Sequence, residues 1–166
     1  HLERDASVML PGTSATPDLA QGLVVFSQPP AVVWQLMAQT QRQREYRPEL
    51  SELTTVERST NVAVERHRIR MLFIDLSYYM RYELDPAASH IEWSLDASRP
   101  NDFDEISGAW DFYDLGNGRT LGRLGSAVRV GKAVPRSMQD AITRKKVPET
   151  LENVRHWVDS AGGQQR

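Results

Sequence analysis

The sequence predicts an α+β fold: a helix-grip arrangement in which a curved antiparallel sheet wraps around one long C-terminal helix. A short helix follows the first long strand. Three observations carry this reading. Strand-like runs succeed one another with only short turn signals between them, which favours antiparallel neighbours. A single amphipathic helical stretch closes the chain over 135–159. One brief helical segment interrupts the strands early, over 31–38. A sheet apolar on one face needs a helical layer to cover it.

Taken in order, Ser7–Leu10 reads as a short strand and Pro11-Gly12-Thr13-Ser14 as a turn. Residues 22–27 form a β-type apolar run ended by Pro29-Pro30. A proline is well placed at a first helical turn, and 31–38 then reads as a helix with Val33, Leu36, Met37 and Thr40 on one face. Residues 41–50 are polar and carry Tyr46 and Pro48, which predicts a loop. Strands follow over 53–57, over Val62–Met71 and over 75–84. In the last, Leu76, Tyr78, Met80, Tyr82 and Leu84 share one face at period two, the clearest half-buried strand in the chain. His90–Leu95 repeats the pattern with Ile91, Trp93 and Leu95 inward.

A polar loop over 97–104 leads to a strand over 106–115 with Gly108, Trp110 and Phe112 on one side. Gly116-Asn117-Gly118 is a strong hairpin signal, since these residues tolerate positive φ. Arg119–Val130 returns as the last strand. The closing helix has an apolar stripe of Met138, Ile142, Leu151, Val154 and Val158. At about 1.5 Å per residue it would run about 37 Å. Pro148 inside it predicts a kink or break.

Length and composition bound the function. The chain has 166 residues, enough for one domain with a full core. The expected division is an N-terminal extension over 1–20, one domain over 21–160 and a disordered tail over 161–166. Net charge is −2, so no basic stripe points to nucleic acid. There is no cysteine, which removes disulfides, thiolate metal sites and thiol nucleophiles. No apolar run reaches the roughly 18 residues of a bilayer span. An exported or periplasmic setting is the expectation for a chain that begins at His1 and lacks cysteine.

On these elements the chain resembles the START, or SRPBCC, helix-grip superfamily. That group holds START lipid-transfer domains, polyketide cyclase/dehydrase-like proteins and coenzyme-Q-binding proteins. The resemblance spans roughly residues 22–160. It is carried by Pro29-Pro30-Ala31-Val32-Val33-Trp34, by Tyr46 and Pro48, by Gly108-Ala109-Trp110-Asp111-Phe112, and by the late run from Val147 to Arg155. It implies an apolar cavity between sheet and C-terminal helix, and it does not imply one activity.

The candidate chemistry is accordingly a lining. Trp34, Phe73, Tyr78, Met80, Tyr82, Trp93, Trp110, Met138 and Ile142 are the expected ligand-facing residues, with Arg70 as the polar contact. Each aromatic could equally be plain core, as could Phe112 and Trp157. Tyr78 and Tyr82 stand out, because a buried hydroxyl wants a hydrogen-bond partner. Arg66, Arg68 and Arg70 share one side of a strand, interleaved with His67, and a solvated face explains them best. Val62 and Val64 share their parity, which leaves the facing open.

Arg144-Lys145-Lys146 could touch an anionic membrane transiently, or simply face solvent. Asp102, Asp104 and Glu105 read as a solvated loop. His67, His90 and His156 lack metal-ligand spacing, so no metal is expected. No cofactor is expected and no catalytic residue is singled out. There is no Gly-x-Ser-x-Gly elbow, although triads assemble in space.

The expected function is to bind and carry, or sequester, a hydrophobic small molecule of the lipid, sterol or quinone class. The alternative is a polyketide cyclase or aromatase-like enzyme using the same cavity, with Tyr78, Tyr82 and Arg70 as candidates. A third reading, a protein-interaction module, would require a solid core and an exposed apolar patch. A monomer is the default expectation.

Overall fold

The structure is a computed structural model that describes residues 7–10, 19–71, 73–131, 134–141 and 145–163. Its strands are β1 (Ser7–Leu10), β2 (Leu19–Phe26), β3 (Leu50–Arg58), β4 (Val62–Met71), β5 (Ile74–Asp85), β6 (His90–Leu95), β7 (Phe103–Gly116) and β8 (Arg119–Val130). They form one eight-stranded sheet in the order β1-β2-β8-β7-β6-β5-β4-β3, with every neighbouring pair antiparallel. The helices are α1 (Pro30–Met37), α2 (Arg136–Ala141) and α3 (Val147–Asp159). This is the helix-grip α+β fold that the element order predicts.

Local sequence explains the elements. Pro30 opens α1, where its missing N–H is harmless. Val33, Leu36 and Met37 are the buried residues of that helix. The β7–β8 hairpin turns at Gly116, Asn117 and Gly118, all at positive φ, as a tight turn of this kind requires. On β5 the period-two pattern faces as expected, with Leu76, Tyr78, Met80 and Tyr82 buried.

One expectation changes. Residues 41–50 are not simply a loop: Thr40–Glu45 forms a 3-10 helix whose Thr40 and Gln43 are buried. The i, i+3 spacing that puts both on one side is the 3-10 repeat, and neither looks like a core residue in sequence. The closing helical region is described as α2 and α3, with 142–144 outside the described residues. Pro148 sits in the first turn of α3, directly after a π-helical turn at 145–146. Ile142 and Arg144 lie outside the described residues.

α3 grips the sheet at β2. Gly22 makes this possible, since a Cβ there would lie 2.4 Å from the Leu151 Cδ1. Leu151, Val154, Trp157 and Val158 are its buried residues. At its C-terminal end Asp159 Oδ1 accepts the Ser27 amide at 2.8 Å. Trp157 packs on Tyr46, with ring centroids 4.9 Å apart, and carries the Arg42 guanidinium 5.1 Å from its ring. The helix, the 3-10 turn and the sheet thus enclose a space between them.

Candidate functional site: a cavity with a polar wall

Between the inner sheet face and α3 lies a cavity of about 170 Å³. An apolar cavity of comparable size, ~150 Å³, is enough to bind benzene. Its greasy side comes from strand residues at alternate positions: Ile69, Met80, Ile91, Trp110 and Leu124. Lys146, Val147 and Thr150, at the start of α3, line it from the helical side.

One wall is polar, and its groups are bonded in a fixed order. Glu65 and His67 are fully buried on β4. Glu65 Oε2 accepts the Thr40 hydroxyl at 2.6 Å. His67 Nε2 lies 3.3 Å from Glu65 Oε1, and His67 Nδ1 lies 3.4 Å from the Tyr78 hydroxyl. Burial pushes the His67 pKa down, more than the hydrogen bond to Glu65 raises it. A neutral imidazole has one donor and one acceptor. Nε2 faces an acceptor and so carries the proton, leaving Nδ1 to accept from Tyr78. The Tyr78 oxygen in turn accepts from Arg47 Nη2 at 3.3 Å.

A second arm runs through Gln43. Its Oε1 accepts Arg47 Nη1 at 3.1 Å, while its Nε2 donates to the Tyr82 hydroxyl at 2.8 Å and to the Thr40 carbonyl at 2.9 Å. Arg47 Nε donates to Glu49 Oε1 at 3.0 Å. Desolvation works against the Arg47 charge, but the Glu49 carboxylate and the hydrogen bond to the Tyr78 hydroxyl hold its pKa above the usual value. Burial raises the Tyr82 pKa well above its ordinary value, with Glu65 adding to the effect, so its phenol keeps its proton. Thr40, Gln43, Arg47, Glu49, Tyr78 and Tyr82 all line the cavity.

The structure sorts the residues expected from sequence. Tyr78, Met80, Tyr82, Trp93 and Trp110 line the cavity together. Trp34 does not, and instead meets Phe112 edge-on at 6.5 Å. Met138 is buried in the core but does not contribute to the lining. Phe73 is 102% exposed. Met71 pairs with Ile74, so Phe73 falls in the turn of the β4–β5 hairpin rather than on a strand face. Arg70 points to solvent and pairs with Asp75, Nε to Oδ1 3.0 Å. Arg68 pairs with Glu52 on the same outer face. The polar contact expected from Arg70 is therefore not in the cavity; Arg47 is. Ile142 lies outside the described residues.

Residues 97–104 are not free-standing either. The Asp102 carboxylate accepts the Ser77 amide at 2.7 Å, and Asn101 Oδ1 accepts the Tyr79 amide at 2.7 Å. The segment is stitched along β5. Glu105 belongs to β7 and pairs with Arg129. Among the described residues no cluster of three or more His, Asp or Glu could hold a metal, and no helix is long and apolar enough to cross a membrane. The core contains a cavity, so the solid core required by the protein-interaction reading is not present.

No family model and no curated protein matches the sequence. Solved structures match the fold. A protein from Thermus thermophilus superposes with a TM-score of 0.74 at 18% identity, over 86% of this chain and 98% of that one. The Zhui aromatase/cyclase from a Streptomyces species gives 0.74 at 18%, over 89% and 95%. A STAR-related lipid transfer protein from Xanthomonas axonopodis gives 0.71 at 8%, over 93% and 99%. The chain therefore has the START-type helix-grip fold.

Proposed function

We propose that the protein binds a hydrophobic small molecule in the cavity between sheet and α3, and carries or sequesters it. One observation bears most of the weight: an apolar pocket with a few converging polar groups on one wall, inside an otherwise packed core. That is the usual anatomy of a small-molecule site. Burial of apolar surface would supply affinity, about 25 cal/mol per Å² before ordering costs. The polar wall would set the ligand's orientation.

Size narrows the class. A space of about 170 Å³ takes one or two rings or the end of a longer chain. A quinone head or a small aromatic fits this better than a whole sterol.

A second reading has its own support. The Arg47–Tyr78–His67–Glu65 chain is a pre-ordered set of proton donors and acceptors against the cavity, and one neighbour in fold is an aromatase/cyclase. An enzyme acting on a folded polyketide would use such a wall to polarise an oxygen. Tyr78 is the candidate that the sequence names, and Arg47 takes the place here that sequence alone gives to Arg70.

Native mass spectrometry of the protein as purified from cells tests the binding reading. A hydrophobic molecule near one per chain, released on denaturation, is the expected result. Failure to find one, joined with failure to bind any of a panel of two-ring aromatics and quinones, overturns it.

A further inference from the structure

The ordered wall has a consequence for ligand chemistry, and it rests on the binding function proposed above. Apart from the second oxygen of Glu49, the acceptors of the network are taken. Gln43 Oε1 holds Arg47, His67 Nδ1 holds Tyr78, and the Tyr78 oxygen holds Arg47. The Glu65 carboxyl accepts from Thr40 and His67.

What else remains uncommitted is donors. Tyr82 accepts from Gln43 through its oxygen, and its own hydrogen has no protein acceptor among the described bonds. Arg47 has five N–H hydrogens. Three go to Glu49, Gln43 and Tyr78, which leaves one on each terminal nitrogen. The Tyr82 hydroxyl and the Arg47 guanidinium flank a single Gln43 side-chain amide, and both residues line the cavity.

Charge decides which acceptor belongs there. Among the described residues the lining has two cations, and each already has a carboxylate: Arg47 with Glu49 at 3.0 Å, and Lys146 with Glu149 at 3.2 Å. Glu65 lies behind the wall and adds no positive charge. A ligand carboxylate would meet donors but no spare cation, with Glu49 at hand to repel it. An unpaired buried charge is costly. A ketone, quinone or ester oxygen uses the same donors without that cost.

We infer that the cavity selects a neutral ligand whose inner end is a hydrogen-bond acceptor, engaged by the Tyr82 hydroxyl and the Arg47 guanidinium, and discriminates against a carboxylate of the same shape.

Three matched probes test this near neutral pH: 2-acetylnaphthalene, 2-ethylnaphthalene and 2-naphthoate, each titrated into the whole protein. Acetylnaphthalene should bind roughly tenfold more tightly than ethylnaphthalene, the usual scale of one well-made hydrogen bond in a buried site. Naphthoate should bind more weakly than acetylnaphthalene. In Tyr82→Phe the ratio of ketone to hydrocarbon affinity should shrink severalfold. Equal affinity for all three in the wild type, or tightest binding of naphthoate, overturns the inference and leaves a hydrophobic site intact. Binding of none of them overturns the inference, while the proposed function is decided separately by the mass spectrometry and the ligand panel above. The wild-type comparison does not depend on how well the variant folds.

Discussion

Trp93 lies flat against Gly108, its cross-strand partner, so closely that a Cβ on Gly108 would fall 2.4 Å from the indole Cζ2. The same Cβ would come within 2.5 Å of the Gly125 carbonyl oxygen on β8. The glycine is therefore a socket for an aromatic side chain that forms part of the cavity wall. A methyl group there has backbone on one side and the indole on the other, and only the indole can move.

Gly108→Ala should therefore destabilise the protein by about 1–3 kcal/mol, the range for overpacking. It should also weaken binding of a hydrophobic probe, because Trp93 is displaced. Gly125→Ala is the control: its Cβ would meet only Leu19 Cδ1 at 3.8 Å, an ordinary contact. Urea denaturation of the two variants checks this. Equal stability loss in both would contradict the socket.

Thr40→Val should cost about 1–3 kcal/mol, because it leaves the buried Glu65 short of a donor. Shape is nearly unchanged, so the loss reports the hydrogen bond. Thr54→Val on β3, at an exposed position, should be close to neutral. Thermal unfolding distinguishes them.

The pH dependence has a definite sign. Burial lowers the His67 pKa in the fold, so below about pH 6.5 the unfolded chain takes up a proton that the folded one resists. Stability from this group is full above the unfolded value and falls as pH drops through the window between that value and the folded one. In His67→Gln the stability profile across that window should be flatter than in the wild type. His90 and His156 are common to both proteins and cancel in the comparison. A wild-type profile no steeper than the variant's would contradict a neutral buried imidazole.

Much of the fold was legible because period-two alternation is unambiguous where one face is apolar. On β5 it identified Tyr78, Met80 and Tyr82, all of which line the cavity. β4 was opaque for the opposite reason. Val62 and Val64 share parity with the arginines, while Glu65 and His67 share it with Ala63 and Ile69, so neither side looks like core. The signal was in the hairpin. With Met71 opposite Ile74, His67 pairs with Tyr78 and Glu65 with Met80, and cross-strand partners share a face. Extending the β5 pattern across that register would have turned Glu65 and His67 inward.

Arg47, Gln43 and Thr40 were less accessible to sequence reasoning. They sit in or beside a short polar 3-10 helix whose burial comes from where it docks, not from its own pattern. Phe73 illustrates the reverse. Its residue type suggests core, but a hairpin turn puts it outside.

The central claim is that the cavity holds a ligand, and filling the cavity tests it most directly. Ser126 lines the space from β8 between Leu124 and Val128. Ser126→Phe places a ring where the ligand would sit. The measurement is one-to-one binding of a neutral solvatochromic dye, wild type against Ser126→Phe, with thermal unfolding run alongside. The expected result is saturable binding by the wild type and at least about a tenfold loss, 1.4 kcal/mol, in a variant that still unfolds cooperatively. Undiminished binding in a folded variant would contradict the account, because the dye would then be occupying some other surface.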